Sequence, residues 1–214
     1  MHFKALFICL FSISALVFYT SAFAVVLQAQ GDGGSPSSGL LSGPIGMALG
    51  VDPSTPRNGA AIDPHKRDTT IFKQRTFSMW KGCGQTIQSG VLQADILTPK
   101  LVQRGQVARV SAGGYLFMVL HQISGSGNGP YTCGVDQTGA GTSFPKKLEV
   151  SRQVPGQSPT LNAVVTTQFP FQVSMPTDLK CTGSYGGKNN ICMIRCQNAA
   201  INGPYGACIP VQQV

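Results

Sequence analysis

Tyr115-Leu116-Phe117-Met118-Val119-Leu120-His121-Gln122-Ile123 decides the fold class. Tyr115, Phe117 and Val119 fall on one parity, and Leu116, Met118 and Leu120 on the other. An apolar run on both parities is the pattern of a β-strand buried on both sides. The loop Ser124-Gly125-Ser126-Gly127-Asn128-Gly129-Pro130 stops it. Working outward, Val25 to Gln30 reads as a first strand. Thr69 to Phe77, Gln106 to Ser111, Leu148 to Arg152, Ala163 to Thr167, Phe169 to Met175, Ile191 to Gln197 and Cys208 to Val211 read as others. Residues 31 to 65, punctuated by Asp52-Pro53, Thr55-Pro56 and Asp63-Pro64, read as a long irregular stretch. Short strands between turn signals predict an all-β sandwich with long loops.

Composition agrees. Gly 26 and Pro 14 together make about 19 % of 214 residues, against about 12 % on average. That excludes a helical bundle or coiled coil. With 42 % hydrophobic and 11 % charged residues the chain is too apolar for general disorder. The net charge of +8 is spread over Lys66-Arg67, Lys73, Arg75, Lys81, Arg104, Arg109 and Lys146-Lys147. No dense basic tract supports nucleic-acid binding. Outside a cell such a charge favours acidic polysaccharide or a membrane surface, and it also suits plain solubility.

The N-terminus is set apart. Lys4 precedes an apolar run from Ala5 to Phe18, and the small residues Thr20, Ser21, Ala22 and Ala24 follow. This is a secretory signal peptide. Residues 1–22 are assigned to it and 23–214 to a single β-sandwich domain, with cleavage after Ala24 as the alternative. No other segment approaches the length of a bilayer span, so no stable membrane insertion is expected. Cys9 leaves with the signal. Cys83, Cys133, Cys181, Cys192, Cys196 and Cys208 then make an even set, read as three disulfides of an extracellular protein. Six cysteines allow 15 pairings. Local closures of Cys181 with Cys192 and of Cys196 with Cys208 would leave Cys83 for Cys133.

Catalytic patterns are scarce. There is no Gly-x-Ser-x-Gly, no phosphate loop and no His-Glu-x-x-His. Asp136 with Glu149, or Asp95 with Asp178, could supply a glycosidase pair, but spacing joins neither. His121, at the end of the buried strand beside the Gly-rich loop, is the first candidate for a ligand or metal contact. His65 reads as a solvated loop residue. Tyr131 and Tyr205 each follow Gly-Pro and closely precede a cysteine. They are candidates for carbohydrate stacking, or equally for packing over a disulfide.

Gly129-Pro130-Tyr131-Thr132-Cys133 through Asp136 forms one motif. Leu179-Lys180-Cys181-Thr182-Gly183, Cys192-Met193-Ile194-Arg195-Cys196-Gln197-Asn198 and Gly203-Pro204-Tyr205-Gly206-Ala207-Cys208 form a second, C-terminal set. With Leu27-Gln28-Ala29-Gln30-Gly31, these resemble the fungal Egh-type, or GAS-type, appressorial virulence factors over essentially the whole mature chain. The resemblance implies a secreted fungal protein of infection structures, acting in host penetration; the partner expected here is cell-wall or cuticle polysaccharide or a host protein. It also implies a likeness to the immunoglobulin-like sandwich of lytic polysaccharide monooxygenases, whose copper is held by an N-terminal histidine and a second imidazole. His121 matches the internal position, whereas Phe23 stands at the terminal one. The expectation is therefore a binding role with no cofactor. A copper-dependent polysaccharide oxidase with an atypical site is one alternative, and a virulence factor retained inside the appressorium is another.

Overall fold

The computed structural model describes residues 23–36, 39–57, 66–73, 82–124, 127–156 and 167–214. His65 and the segment 74–81 lie outside the described residues, as does most of the strand expected over Ala163 to Thr167.

The chain runs β1 (Ala24–Gly31), β2 (Thr70–Ile71), β3 (Gln85–Thr86), β4 (Gly90–Val91), α1 (Ala94–Gln103), β5 (Ala108–Val110) and β6 (Tyr115–Gln122). It continues through β7 (Tyr131–Asp136), β8 (Lys146–Arg152), β9 (Thr167–Ser174), β10 (Gly183–Tyr185), β11 (Lys188–Asn198) and β12 (Tyr205–Gln213). The all-β class is as expected, with one helix among the described residues. Hydrogen bonding follows the order β1-β6-β9-β8-β7-β11-β12-β2-β3-β4. All pairs are antiparallel except β5 against β12.

The inner face follows from alternation. Leu116, Met118 and Leu120 of β6 are fully buried, with Phe171 and Val173 of β9. They share one cluster with Val135 of β7, Ile194 of β11 and Ala207, Ile209 and Val211 of β12. Burying each such side chain contributes about 1.5–3 kcal/mol. Strands β1, β6 and β9 therefore meet β7, β11 and β12 across a common core. The other parity of β6 departs from expectation: Tyr115, Phe117 and Val119 are half-buried, so the strand is fully covered on one face only.

A second cluster lies on the outer side. Leu92, Ala94 and Leu101 from the α1 region pack with Met47, Leu49, Phe72, Ile191 and Met193. The helix itself is a departure from the sequence expectation. It carries Pro99 in its interior, and Gln93 at its start makes no side-chain cap. Packing of its buried face supplies what local propensity does not.

All six cysteines are paired, Cys83 with Cys208, Cys133 with Cys196 and Cys181 with Cys192. The Cys181–Cys192 closure is as expected. The closure of Cys196 with Cys208 is not formed, nor is Cys83 with Cys133. In the ladder Cys196 stands opposite Cys133 on β7, while Cys208 stands opposite Arg195. Successive side chains alternate faces. Cys196 thus joins the inner core, and Cys208 joins Cys83 in the outer cluster.

Both Gly-Pro-Tyr turns contain a cis peptide before proline. The side chain of Asn198, at the end of β11, touches both. Its Oδ1 accepts from Tyr205 N at 3.0 Å and Ala200 N at 3.3 Å, and its Nδ2 donates to Asn128 O at 3.1 Å.

Candidate functional site

Strand β8 serves two neighbours in turn. Lys146, Lys147 and Leu148 pair with Val135, Gly134 and Cys133 of β7. From Glu149 onward the strand pairs with β9 instead. The first residues of β7 are thereby left without a backbone partner on that side. The side-chain amide of Gln153 takes the place of one: Tyr131 N donates to its Oε1 at 2.9 Å, and its Nε2 donates to Tyr131 O at 2.7 Å. A buried backbone donor without a partner is costly, and this amide satisfies donor and acceptor together.

A groove of about 650 Å³ opens over this divergence. Its walls include Thr132, Phe144, Lys147, Gln153, Arg195 and Gln197. Thr132, Lys147 and Gln153 are exposed, and Phe144, Arg195 and Gln197 are half-buried. Gly134 lies on the floor. A Cβ there would stand 3.1 Å from the Cβ and the carbonyl oxygen of Phe144. The absent side chain lets Phe144 settle against the sheet.

Arg195 is held by several contacts. Its guanidinium carbon is 4.1 Å from the Phe72 ring centroid and 5.7 Å from that of Phe144. Nη1 donates to Gly82 O at 2.8 Å and Nε to Gln197 Oε1 at 3.0 Å. Burial pushes its pKa down to about 10, which leaves it a cation near neutrality. A cation over aromatic faces contributes about 0.5–2 kcal/mol, more as it is desolvated. The arrangement is a fixed positive charge beside an aromatic ring, edged by a hydroxyl and two amides.

Of the three residues singled out in the sequence, His121 and Tyr205 sit away from the groove and Tyr131 borders it. Tyr131 is 1 % exposed, its hydroxyl donating to Gly127 O at 2.9 Å and its ring 5.5 Å from Phe171. Burial raises its phenol pKa well above the ordinary value. It borders the groove while its ring packs in the core. Tyr205 is 2 % exposed, donates to Asn202 O at 3.0 Å and packs 5.4 Å from Phe23. Its cluster includes Val25, the residue opposite His121 in the ladder. His121 is itself 2 % exposed, between Val25 of β1 and Gln168 of β9. None of the three offers an open ring face, and Tyr131 lies in a different cluster from Tyr205.

A copper brace needs several nitrogen ligands around one ion. Phe23, the residue at the position a brace histidine would take, has its ring against Tyr205 and under the Lys66 ammonium at 5.3 Å. Its backbone N donates to Ser124 Oγ at 2.8 Å. Among the described residues no group of three or more His, Cys, Asp or Glu side chains could hold a metal ion. The donor set that the described residues present does not fit the brace.

Sequence reasoning missed Lys147, Phe144, Gln153 and Arg195 as site residues. The one local signal was an arginine alternating with apolar residues in Met193-Ile194-Arg195-Cys196. Such a residue on the outward parity of a buried strand marks where cover ends.

Comparison with known proteins bears on identity. A family model described as Egh16-like virulence factor matches residues 21–206. The chain is 33 % identical over 189 residues to the appressoria-specific virulence factor GAS1 of Pyricularia oryzae, a match that covers 87 % of this chain and 70 % of that relative. It is 39 % identical over 103 residues to GAS2 of the same organism, over 47 % of this chain and 36 % of that relative. No solved structure matches.

Proposed function

This chain belongs to the Egh16-like virulence factor family, and on that premise we propose that it is a secreted virulence factor of infection structures that binds wall or cuticle polysaccharide in the β7–β8 groove. The observation that carries the reading is the juxtaposition of the Phe144 ring with the Arg195 cation, bordered by Thr132, Gln153 and Gln197. Sugar rings have an apolar face that stacks on aromatic rings and hydroxyls that bond amides and cations. The scaffold is rigid, with three disulfides, as an extracellular binder requires. The action is binding without catalysis and without a cofactor.

Secretion with cleavage after Ala22 accords with the placement of Phe23. The residue is 6 % exposed, and its carbonyl accepts from Ile123 N at 2.9 Å. Cleavage after Ala24 would delete this buried residue, so N-terminal sequencing of the secreted protein should begin at Phe23.

The test of binding is retention of the purified protein on insoluble chitin, β-glucan and plant cell wall, with Phe144→Ala beside it. The variant should lose affinity about fivefold or more, from the lost stacking. Equal retention of both proteins would remove the groove from the reading. Oxidised oligosaccharides released with copper and a reductant would replace it with the oxidase alternative. A strain of the source fungus lacking the gene should penetrate host tissue less well.

A further inference from the structure

Three strands place two cations on a single rung of the ladder. Lys147 of β8 stands opposite Gly134 of β7, and Gly134 opposite Arg195 of β11. Neighbouring strands lie about 4.8 Å apart, so the two stems rise from backbones separated by roughly 10 Å, with a residue lacking a side chain between them. Phe144 stands over that residue. The groove lining contains these two cations and no carboxylate. The neighbouring lysine behaves differently: Lys146 is ion-paired with Asp178, and it is Lys147 that borders the groove.

We propose that the Arg195–Gly134–Lys147 rung is a subsite for the carboxylate of an acidic sugar, so that the groove takes a polyuronate. This rests on the reading of the groove as a polysaccharide site and specifies the class of sugar. A uronic acid has an apolar ring face to lay on Phe144 and a carboxylate at the ring edge. That edge would fall between the guanidinium and the ammonium. Charge-assisted bonds to a carboxylate are roughly twice as strong as neutral ones. Thr132 Oγ1 and the Gln197 amide nitrogen border the groove to bond hydroxyls, while the Gln153 amide stays engaged with Tyr131. A lipid phosphate would use the cations but leave the Phe144 face without a partner, which favours the sugar.

The experiment measures affinity for polygalacturonate and for the same polymer with its carboxyls reduced to alcohols, with anionic phospholipid vesicles as a third arm. The wild-type protein should bind the acidic polymer about tenfold more tightly than the reduced one. Lys147→Gln should weaken binding of the acidic polymer about threefold, on the scale of an exposed ion pair, and leave the reduced polymer unchanged. Lys100→Gln, which removes the same charge from α1, should change neither. Arg195→Lys, which keeps the charge but loses the planar fork, should weaken the acidic polymer selectively. If that variant fails to fold, Lys147→Gln decides. Equal affinity for the two polymers would overturn the carboxylate subsite and leave the polysaccharide reading standing. Binding of neither polymer, nor of any wall polysaccharide, would overturn both. An equal loss with Lys100→Gln, or vesicle binding that requires Lys147, would also overturn the subsite.

Discussion

Ile191 and Met193 on the outward face of β11 are fully buried with α1 and the Cys83–Cys208 bridge. Arg195 and Gln197, next along the same face, border the groove. One strand face thus serves as core at one end and as groove wall at the other. The inward face shows no such change, since Cys192, Ile194 and Cys196 all join the main cluster. The difference lies in what covers the sheet. Where α1 lies over it, the residues are apolar and set stability. Past the helix they are polar and line the groove.

Removing what pins the covered half tests this most severely. The Cys83–Cys208 link closes a separation of 125 residues, and on the chain-entropy scale its loss costs about 5 kcal/mol. Cys181–Cys192 closes only 11, worth about 3 kcal/mol. Denaturant unfolding of Cys83→Ser/Cys208→Ser against Cys181→Ser/Cys192→Ser should show that order. The reverse order would mean that the outer cluster holds itself together without the bridge.

A finer test stays on β11. Met193→Ala should cost about 2–5 kcal/mol, as a truncation of a fully buried side chain does. Gln197→Ala, four residues along the same face, should cost about 1 kcal/mol, the hydrogen bond it accepts from Arg195. Comparable losses at the two positions would erase the contrast between the two halves.

The smallest effect separates the adjacent lysines of β8. Its side-chain hydrogen bond from Lys146, with a bond from its own backbone and the lysine charge, holds Asp178 below the ordinary carboxylate range. A lowered folded pKa adds stability above the unfolded value, near 3.9, and that stability is lost as pH falls through the folded value. Asp178→Asn should therefore flatten the decline in thermal midpoint below about pH 4, while Lys147→Gln leaves that decline unchanged. A decline unaltered by Asp178→Asn would show that the exposed pair contributes nothing, as many such pairs do.

Much of the sheet was legible in the sequence. β1, β6, β9, β11 and β12 all fall within or overlap runs that alternation picks out. The helix was hidden by Pro99 and by the lack of a capping side chain, although Asp95 in its first turn and Lys100 in its last were signals. Strand β7 was hidden because Tyr131-Thr132-Cys133-Gly134 reads as the exit of a turn. The even cysteine count announced three bridges, but two of the three pairings depend on which face of the sheet each sulfur occupies. The groove is a product of register alone. Nothing local to Lys147 or Arg195 says that Gly134 will stand between them, because that juxtaposition arises only once β7 has paired on both sides. Tyr131 and Tyr205 were conspicuous in the sequence, and both stand buried at the first residue of a strand.

Asn198 has a consequence for how this scaffold tolerates change. A single amide clasps the chain at Asn128 and at Tyr205. The second loop, between Asn198 and Tyr205, is therefore fastened at its base. Ile201, at the tip of this loop, is 80 % exposed. Length can be added at such a tip without disturbing the clasp. Residues inserted beside Ile201 should then leave both the clasp and the groove in place.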